Sequence, residues 1–412
     1  MAINELTRKK MGLQAVNLAR KVGYHSAGTV EFLVDKHKNF YFLEMNTRLQ
    51  VEHPITEYVT GIDLVEQMIR VAANQKLRLK QSDIHINGWA FESRVYAEDP
   101  KLFLPSIGRL QKYVEPLEPG NSEIRCDSGI REGSEISIYY DPLICKLCTH
   151  GPNRQAALNQ MRKALDAYII RGVTHNIPVI REVISQDRFK EGRITTKYLA
   201  EEFPDGFNGH QLSDIELERL AIAAAFIYDG QNEKIGFDSR KEELIVEIDD
   251  NKEIFISACG QRSAERINNF RIKAEWKGSP FSILNISIDD DAPLVVQYHG
   301  SAYLGRLTLQ AFGTIYSVRI NTPLERSLAK YLHTRASTTS DKHIRAPMAG
   351  QLVAVSVIEG DTVRQGAELF IIEAMKMQNS IRAPRAAKVL KVHVAQGQNV
   401  SADQLMVELE FL

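Results

Sequence analysis

The sequence has few cysteines, no long apolar run and no excess of charge of one sign. Its 412 residues include four cysteines, too few for a disulfide framework, which indicates a reducing compartment. No apolar segment reaches the roughly eighteen residues of a membrane helix. The net charge of −1 gives no basis for binding nucleic acid or a membrane surface. The length and the 44% hydrophobic content predict two to four globular domains.

A single CxxC motif, Cys145-Lys146-Leu147-Cys148, has no second pair to complete a zinc site. It lies in the apolar run PLICKLC, which is typical of a buried strand. We therefore expect two buried thiols here, and a zinc or redox role is the weaker alternative.

The C-terminal residues repeat themselves. Residues 344–347 and 381–384 both read IRAP, at an offset of 381 − 344 = 37. The repeat predicts two similar halves of short strands in a small flattened barrel with near two-fold symmetry. Lys376, between Met375 and Met377, falls between the halves and is predicted to lie on a tight turn, where an enzyme could modify it. The same offset aligns Val355 with Val392, Val357 with Val394, Gly360 with Gly397, Val363 with Val400, and Glu373 with Glu410.

A hairpin is predicted near the N-terminus, with strands 28–34 and 40–46 joined by a turn at 35–39. Symmetric pairing about the turn would place Glu31 directly opposite Glu44, with Cβ atoms roughly 4.5–5.5 Å apart. Carboxylates so close repel each other unless a cation lies between them, and Mg²⁺ or Mn²⁺ suits such oxygen ligands. The alternative is a solvated pair on an exposed face.

The even-numbered residues that follow are all polar. In an extended chain they would share one face, which predicts a site for an oxyanion beside the metal. Arg48 would bind a small planar anion in bidentate fashion, and Glu52 would accept a proton from it. The residues of this face are Glu44, Asn46, Arg48, Gln50 and Glu52.

Beyond residue 203 the pattern changes. Ser213 and Glu216 form a capping box that starts a helix with an alanine-rich face, through Tyr228. Short alternating strands then fill residues 234–320. One helix followed by many antiparallel strands predicts a β-barrel around the helix. The polar segment 333–343 is predicted to be a flexible linker.

The C-terminal motif resembles the biotin carboxyl carrier domain of biotin-dependent carboxylases. The resemblance rests on Glu373-Ala374-Met375-Lys376-Met377 and on the upstream sequence at 346–350, APMAG. It implies that Lys376 carries covalent biotin, attached by a biotin protein ligase. Lipoyl domains share the fold but usually place Asp before the lysine and Ala after it, so the flanking methionines favour biotin.

Residues 28–57 resemble the metal- and bicarbonate-binding segment of biotin carboxylase, an ATP-grasp enzyme. The resemblance implies that ATP binds with Mg²⁺ or Mn²⁺. The sequence around residue 94, SRVYAEDP, matches as well, although Ser93 stands where the family commonly has Cys. The implied roles are metal binding by Glu31, Glu44 and Asn46, bicarbonate binding by Arg48, Gln50 and the Val51 N–H, proton abstraction by Glu52, and stabilisation of the biotin enolate by Arg94.

These resemblances imply an α+β multidomain architecture. Residues 1–203 would be the C-terminal part of an ATP-grasp biotin carboxylase, 204–332 a biotin-transport-like helix and barrel, and 344–412 the carrier domain. Because the Gly-rich phosphate loop is missing from the sequence, we expect a portion of a longer subunit and no ATP turnover by this chain alone.

The resemblance implies a ligase component of a biotin-dependent acyl-CoA carboxylase that works with a separate carboxyltransferase β subunit. A non-catalytic carrier and assembly module is the alternative for this chain by itself. The compartment would be the mitochondrial matrix in a eukaryote and the cytoplasm in a bacterium. Neither nucleic acid nor a membrane is an expected partner.

Overall fold

A computed structural model describes most of the chain, in two compact units. The first unit comprises residues 1–93, 117–126 and 146–161, and the second comprises 94–116, 127–145 and 162–412, within the described ranges. The described residues are 3–101, 103–117, 123–137, 140–204, 206–234, 243–249, 252–257, 266–267, 270–278, 281–289, 291–302, 306–329, 331, 342–364, 366–374 and 377–411.

The N-terminal elements begin with a helix capped by Asn4, whose Oδ1 accepts a hydrogen bond from Thr7 N at 2.8 Å. The strands of the predicted hairpin are confirmed to within one residue. The helix that follows the hairpin was not predicted. The elements are α1 (Glu5–Lys21), β1 (Thr29–Val34), β2 (Phe40–Asn46), α2 (His53–Thr60), α3 (Leu64–Ala72) and a 3₁₀ turn (Gln81–Asp83).

Mixed strands and helices follow, in which β4 pairs with β7 and β5 with β9. Cys145 and Cys148 on β8 are fully buried, as predicted for inert thiols. Asn153 caps the helix that follows, since its Oδ1 accepts a hydrogen bond from Ala156 N at 2.9 Å. The elements are β3 (Trp89–Tyr96), β4 (Gly108–Arg109), β5 (Lys112–Val114), β6 (Ile124–Ser128), β7 (Glu135–Ile136), β8 (Leu143–Gly151), α4 (Arg154–Ala167), β9 (Ile169–Arg171), α5 (Ile177–Val183), α6 (Asp187–Lys190) and α7 (Tyr198–Glu202).

A long helix, α8 (Asp214–Lys234), lies within an eight-stranded antiparallel half-barrel of order β11-β10-β17-β16-β15-β14-β13-β12. The predicted capping box is present, since Ser213 N donates to Glu216 Oε2 at 2.9 Å. Residues 220–225 are fully buried, and their alanines let the sheet approach the helix closely. The strands are β10 (Glu243–Ile248), β11 (Lys252–Ser257), β12 (Arg266–Ile267), β13 (Phe270–Trp276), β14 (Ile283–Ile288), β15 (Leu294–Ala302), β16 (Arg306–Ala311) and β17 (Thr314–Asn321), followed by α9 (Pro323–Ala329).

The C-terminal domain consists of two four-stranded sheets, ordered β18-β25-β23-β20 and β22-β21-β19-β24. A shift of 37 residues carries β19 onto β23, β20 onto β24 and β21 onto β25, for example 350 + 37 = 387. The predicted repeat is therefore the structural repeat. Residues 333–341 of the predicted linker lie outside the described residues. The strands are β18 (His343–Arg345), β19 (Gly350–Val355), β20 (Thr362–Val363), β21 (Glu368–Ala374), β22 (Met377–Arg382), β23 (Ala387–Val392), β24 (Asn399–Val400) and β25 (Leu405–Phe411).

Candidate functional site

The β1–β2 hairpin is closed by a turn that Asp35 organises. Its Oδ1 accepts hydrogen bonds from His37 N at 2.8 Å and Asn39 N at 2.9 Å. The Asn39 side chain also donates to Asp35 Oδ2 at 2.9 Å. This bond contributes most, and the two backbone bonds less, to holding the pKa of the Asp35 carboxyl below its usual value. Lys38 adopts a left-handed conformation (φ 67°). The turn therefore fixes how the two strands meet.

Glu31 and Glu44 are direct cross-strand partners, as predicted. The symmetric register is correct only on this side of the hairpin, because a bulge between Glu31 and Phe32 shifts the pairing by one residue. Asn46 Nδ2 lies between the carboxylates and donates to Glu31 Oε1 at 2.9 Å and to Glu44 Oε1 at 3.3 Å. Its amide hydrogens supply the positive character that two adjacent carboxylates require.

Arg48 and Gln50 join this acidic cluster, although not by the predicted extended path. β2 ends at Asn46, and residues 47–52 turn into α2. The side chains nevertheless converge, since Arg48 Nη2 donates to Asn46 Oδ1 at 3.3 Å and Gln50 Nε2 to Glu31 Oε1 at 3.4 Å. A cationic guanidinium thus lies beside an acidic pair, an arrangement that suits an anion held next to a metal ion.

Val51 and Glu52 form the turn that leads into α2. Glu52 is the N-cap residue of that helix and its side chain is exposed. The Val51 carbonyl accepts a hydrogen bond from Lys146 Nζ at 3.2 Å. Sequence reasoning missed Lys146 as a neighbour of this segment. The available signal was a lone cation in an otherwise apolar strand, whose side chain must point away from the core.

The donor set fits a hard divalent cation. Among the described residues, no group of three or more His, Cys, Asp or Glu side chains gathers as a metal site. Glu31 and Glu44 supply two carboxylates, so an ion here would complete its shell with water or phosphate oxygens. That is the usual situation for Mg²⁺, which retains several waters and binds substrate phosphates.

Arg94 lies in the second unit, on β3. Its side chain is exposed between the buried residues Ser93 and Val95, and its carbonyl accepts from Asn176 Nδ2 at 3.1 Å. Burial raises the pKa of the Tyr96 hydroxyl, and Arg94 partly offsets this shift. Ser93 is buried and donates to Met161 Sδ at 3.3 Å, so it packs within the fold.

Lys376 and Met375 lie outside the described residues. The flanking strands are described, and Ala374 pairs directly with Met377. The tight turn predicted at Lys376 therefore lies outside the described residues and stays a prediction.

Three protein families match successive parts of the chain. Residues 1–80 match the ATP binding domain of the carbamoyl-phosphate synthase L chain, and residues 92–201 match the biotin carboxylase C-terminal domain. Residues 342–409 match the family described as biotin-requiring enzyme. This succession of domains assigns the chain to the biotin-dependent carboxylases.

Within this family the chain is similar to alpha chains of propionyl-CoA carboxylase. It is 48% identical to the mitochondrial protein of Sus scrofa over 98% of this chain and 57% of that protein. The protein of Ruegeria pomeroyi is 40% identical, over 99% and 64%. The methylcrotonoyl-CoA carboxylase alpha subunit of Mus musculus is 31% identical, over 99% and 59%. The chain thus spans little more than half the length of these relatives.

One solved structure with a partial likeness is the biotin carboxylase domain of Hydrogenobacter thermophilus 2-oxoglutarate carboxylase, in complex with MgADP, ADP and bicarbonate. It is 43% identical and covers 51% of this chain and 46% of that one, with a TM-score of 0.48. Separately, among the described residues, no helix is both long enough and apolar enough to cross a membrane.

Proposed function

We propose that this chain is part of the alpha subunit of a biotin-dependent acyl-CoA carboxylase, and that its role is to charge biotin with carboxylate at the expense of ATP. One observation carries the proposal: the acidic pair, the amide and the guanidinium of the hairpin converge in a chain that also contains a biotin-requiring domain. Residues suited to binding an anion and a metal ion thus occur in the same polypeptide as a biotin-requiring domain.

In this proposal the acidic residues of the hairpin bind the cation and the basic residue that follows it binds the anion. Glu31 and Glu44, with Asn46, would hold Mg²⁺ or Mn²⁺, which when bound would neutralise the phosphates of ATP. Arg48, with Gln50 and the Val51 N–H, would hold bicarbonate. The hydrogen bond from Arg48 to Asn46 supports this role, because Asn46 is one of the proposed metal ligands. Glu52 would accept the bicarbonate proton.

Two further residues would handle biotin. Lys376 would carry it covalently, on the connection between β21 and β22. Arg94 would stabilise the negative charge of the biotin enolate, and its exposed position on β3 leaves it accessible to a substrate. Oriented cationic donors of this kind lower the energy of charge that develops during a reaction.

We propose propionyl-CoA as the acyl acceptor, carboxylated to methylmalonyl-CoA on a separate carboxyltransferase β subunit. The identity of 48% to propionyl-CoA carboxylase supports this choice over 3-methylcrotonyl-CoA, for which the corresponding relative is 31% identical. The names of the eukaryotic relatives support the mitochondrial matrix as the compartment in a eukaryote.

The half-barrel with α8 would hold the β subunit. Co-purification with that subunit tests this assignment, and deletion of residues 204–330 should abolish the association. A deletion variant that still associates would contradict it.

A second candidate function, a carrier module without catalysis, is favoured for the isolated chain by the lack of a Gly-rich phosphate loop in its sequence.

Biotinylation tests the proposal first. Co-expression with a biotin ligase should add biotin at Lys376, located by peptide mass spectrometry, and Lys376→Arg should remove all binding to avidin. An unmodified Lys376 beside an active ligase would contradict the carrier role.

Phosphate release tests the catalytic role. The chain alone should show no bicarbonate-dependent ATPase activity. A chimera completed with the part of a curated relative that the chain does not match should show it. In that chimera Arg48→Ala should lower the rate by about 10²–10³, whereas Arg8→Ala, an exposed arginine on α1, should not. Equal rates for the two variants would remove Arg48 from the site.

A further inference from the structure

Leu104 belongs to the hydrophobic core of the carrier domain although it is distant from it in sequence. It is 9% exposed and packs in one cluster with buried residues of the carrier, such as Met348 and Leu352. All other described members of this cluster lie between residues 344 and 411. Among the described residues, Leu104 thus links the segment around residue 104 to the hydrophobic core of the carrier domain.

The neighbours of Leu104 do not share its burial. Phe103 and Ile107 are 44% and 42% exposed. A generally buried loop would cover all three side chains. Of these three side chains only the leucine is covered, and the buried cluster to which it belongs is otherwise that of the carrier domain.

The segment that presents Leu104, residues 103–106, is held in a fixed shape. Phe103 N donates to Asp99 O, and Asp99 N donates to Leu104 O, both at 2.8 Å. Ser106 N donates to Ala97 O at 2.8 Å. Phe103 has a φ of 55°, a region that non-glycine residues rarely adopt. Such a backbone persists only where its surroundings impose it, as at many binding sites.

Six residues separate the end of β3, the strand that bears Arg94, from the 103–106 segment, and the hydrogen bond from Ser106 N to Ala97 O ties the segment to the first of them. Arg94 and the segment both belong to the second unit, as does the carrier domain. The segment is therefore a short, rigid extension of the strand that bears the proposed biotin-enolate ligand.

We propose that the 103–106 segment is a docking site for the carrier domain of the same chain, with Leu104 as its anchor. The functional consequence rests on the proposed function: the dock holds the biotin-bearing domain against the biotin carboxylase region. The contact is apolar and small, so the carrier can leave it for a second site.

Methyl and amide relaxation measured by NMR on the whole chain tests the dock. In the wild type the carrier resonances should relax with the correlation time of the whole 412-residue chain. In Leu104→Asp the carrier resonances should keep their chemical-shift dispersion, because the domain stays folded. Their transverse relaxation should become severalfold slower, because a small tethered domain tumbles faster than the whole chain. Leu104→Ala, which adds no charge, should shift the correlation time in the same direction.

The matched control is Leu199→Asp, since Leu199 is a half-exposed leucine on α7 in the same unit. It should leave the carrier docked. A wild-type carrier that already tumbles freely, or a Leu104→Asp carrier that stays docked, would overturn the proposal. Neither measurement needs biotin or ATP. A docked carrier that is never biotinylated would therefore remove the proposed function and leave the dock.

Discussion

The hairpin that bears the acidic cluster and the half-barrel around α8 use their strands in opposite ways. Residues 220–225 of α8 are fully buried by the surrounding sheet. In the hairpin, by contrast, Leu33, Tyr41, Phe42 and Leu43 are 48–60% exposed. The half-barrel encloses its own core, whereas the hairpin depends on its turn and polar cluster. Exposed apolar residues at this density are typical of surfaces that bind further protein.

The largest effect should follow from a charge placed inside the half-barrel. Ala224→Asp would bury an unpaired carboxylate against the sheet, at a cost of more than about 4 kcal/mol. Urea denaturation should show loss of the cooperative transition. Ile215→Asp, on the first turn of the same helix where the side chain is 70% exposed, should change stability little. Equal losses for both variants would mean that α8 is not enclosed.

Acid should destabilise the second unit through the buried His175 and the half-buried His299. Burial lowers the pKa of His175 to about 3 and that of His299 to about 4. Both values lie below the unfolded value of about 6.5, so the unfolded chain binds more protons and stability falls as the pH drops below 6.5.

Between pH 7 and pH 5 this linkage should cost about 2 kcal/mol per histidine. Thermal unfolding measured across this range checks the slope. His175→Gln should flatten the acid limb, and His25→Gln, an exposed control on the N-terminal segment, should not. An unchanged slope in His175→Gln would show that His175 binds the same number of protons in the folded and unfolded states.

A divalent cation should stabilise the hairpin selectively. At ten times its dissociation constant, Mg²⁺ would add about 1.4 kcal/mol of stability to the folded state. Mn²⁺ should broaden the amide resonances of Glu31, Glu44 and Asn46, and Glu31→Gln should abolish this. Glu66→Gln, which breaks only a surface pair with Arg70, is the control. Broadening spread evenly over the surface would show that the cation has no specific site.

The smallest effect should come from the exposed apolar face. Leu33→Ser removes a side chain that is 60% exposed, so the free energy of unfolding should change by no more than about 0.5 kcal/mol. Light scattering should meanwhile show less self-association. A loss of several kcal/mol would mean that this face is covered within the chain, and the contrast with α8 would disappear.

Much of the carrier domain and of the acidic cluster could be predicted from sequence. The 37-residue offset predicted the strand equivalences because each repeat must bury the same alternating positions. The Glu31–Glu44 pair was predicted correctly although the register next to the turn was not: Val34 pairs with Phe40 there, and the bulge restores the predicted register at Glu31. Their roles in binding a metal, and those of Arg48, Gln50 and Glu52 with bicarbonate, stay predictions.

The rest depended on tertiary structure. The bulge at Glu31/Phe32 leaves no mark in a pattern of alternating residues. The turn after Asn46 and the helix α2 contradict the extended path that the even-numbered polar residues suggested. Leu104 gave no signal, because a leucine that contacts a distant domain resembles one that packs locally. Lys376 itself lies outside the described residues.

The pairing pattern of the carrier sets where its chain ends lie. Phe411 pairs with Ala387, and Ala387 with Val363, which leads into the start of β21. The described part of the carrier begins at Lys342, whose carbonyl accepts a hydrogen bond from Leu409 N at 2.7 Å near this same end, whereas Ala374 lies at the other end of β21. The two ends of β21 are roughly 20 Å apart, because the strand has seven residues at about 3.3 Å each. Rotation of the domain about the point where the chain enters it would therefore move a group attached beyond Ala374 along an arc of about that radius.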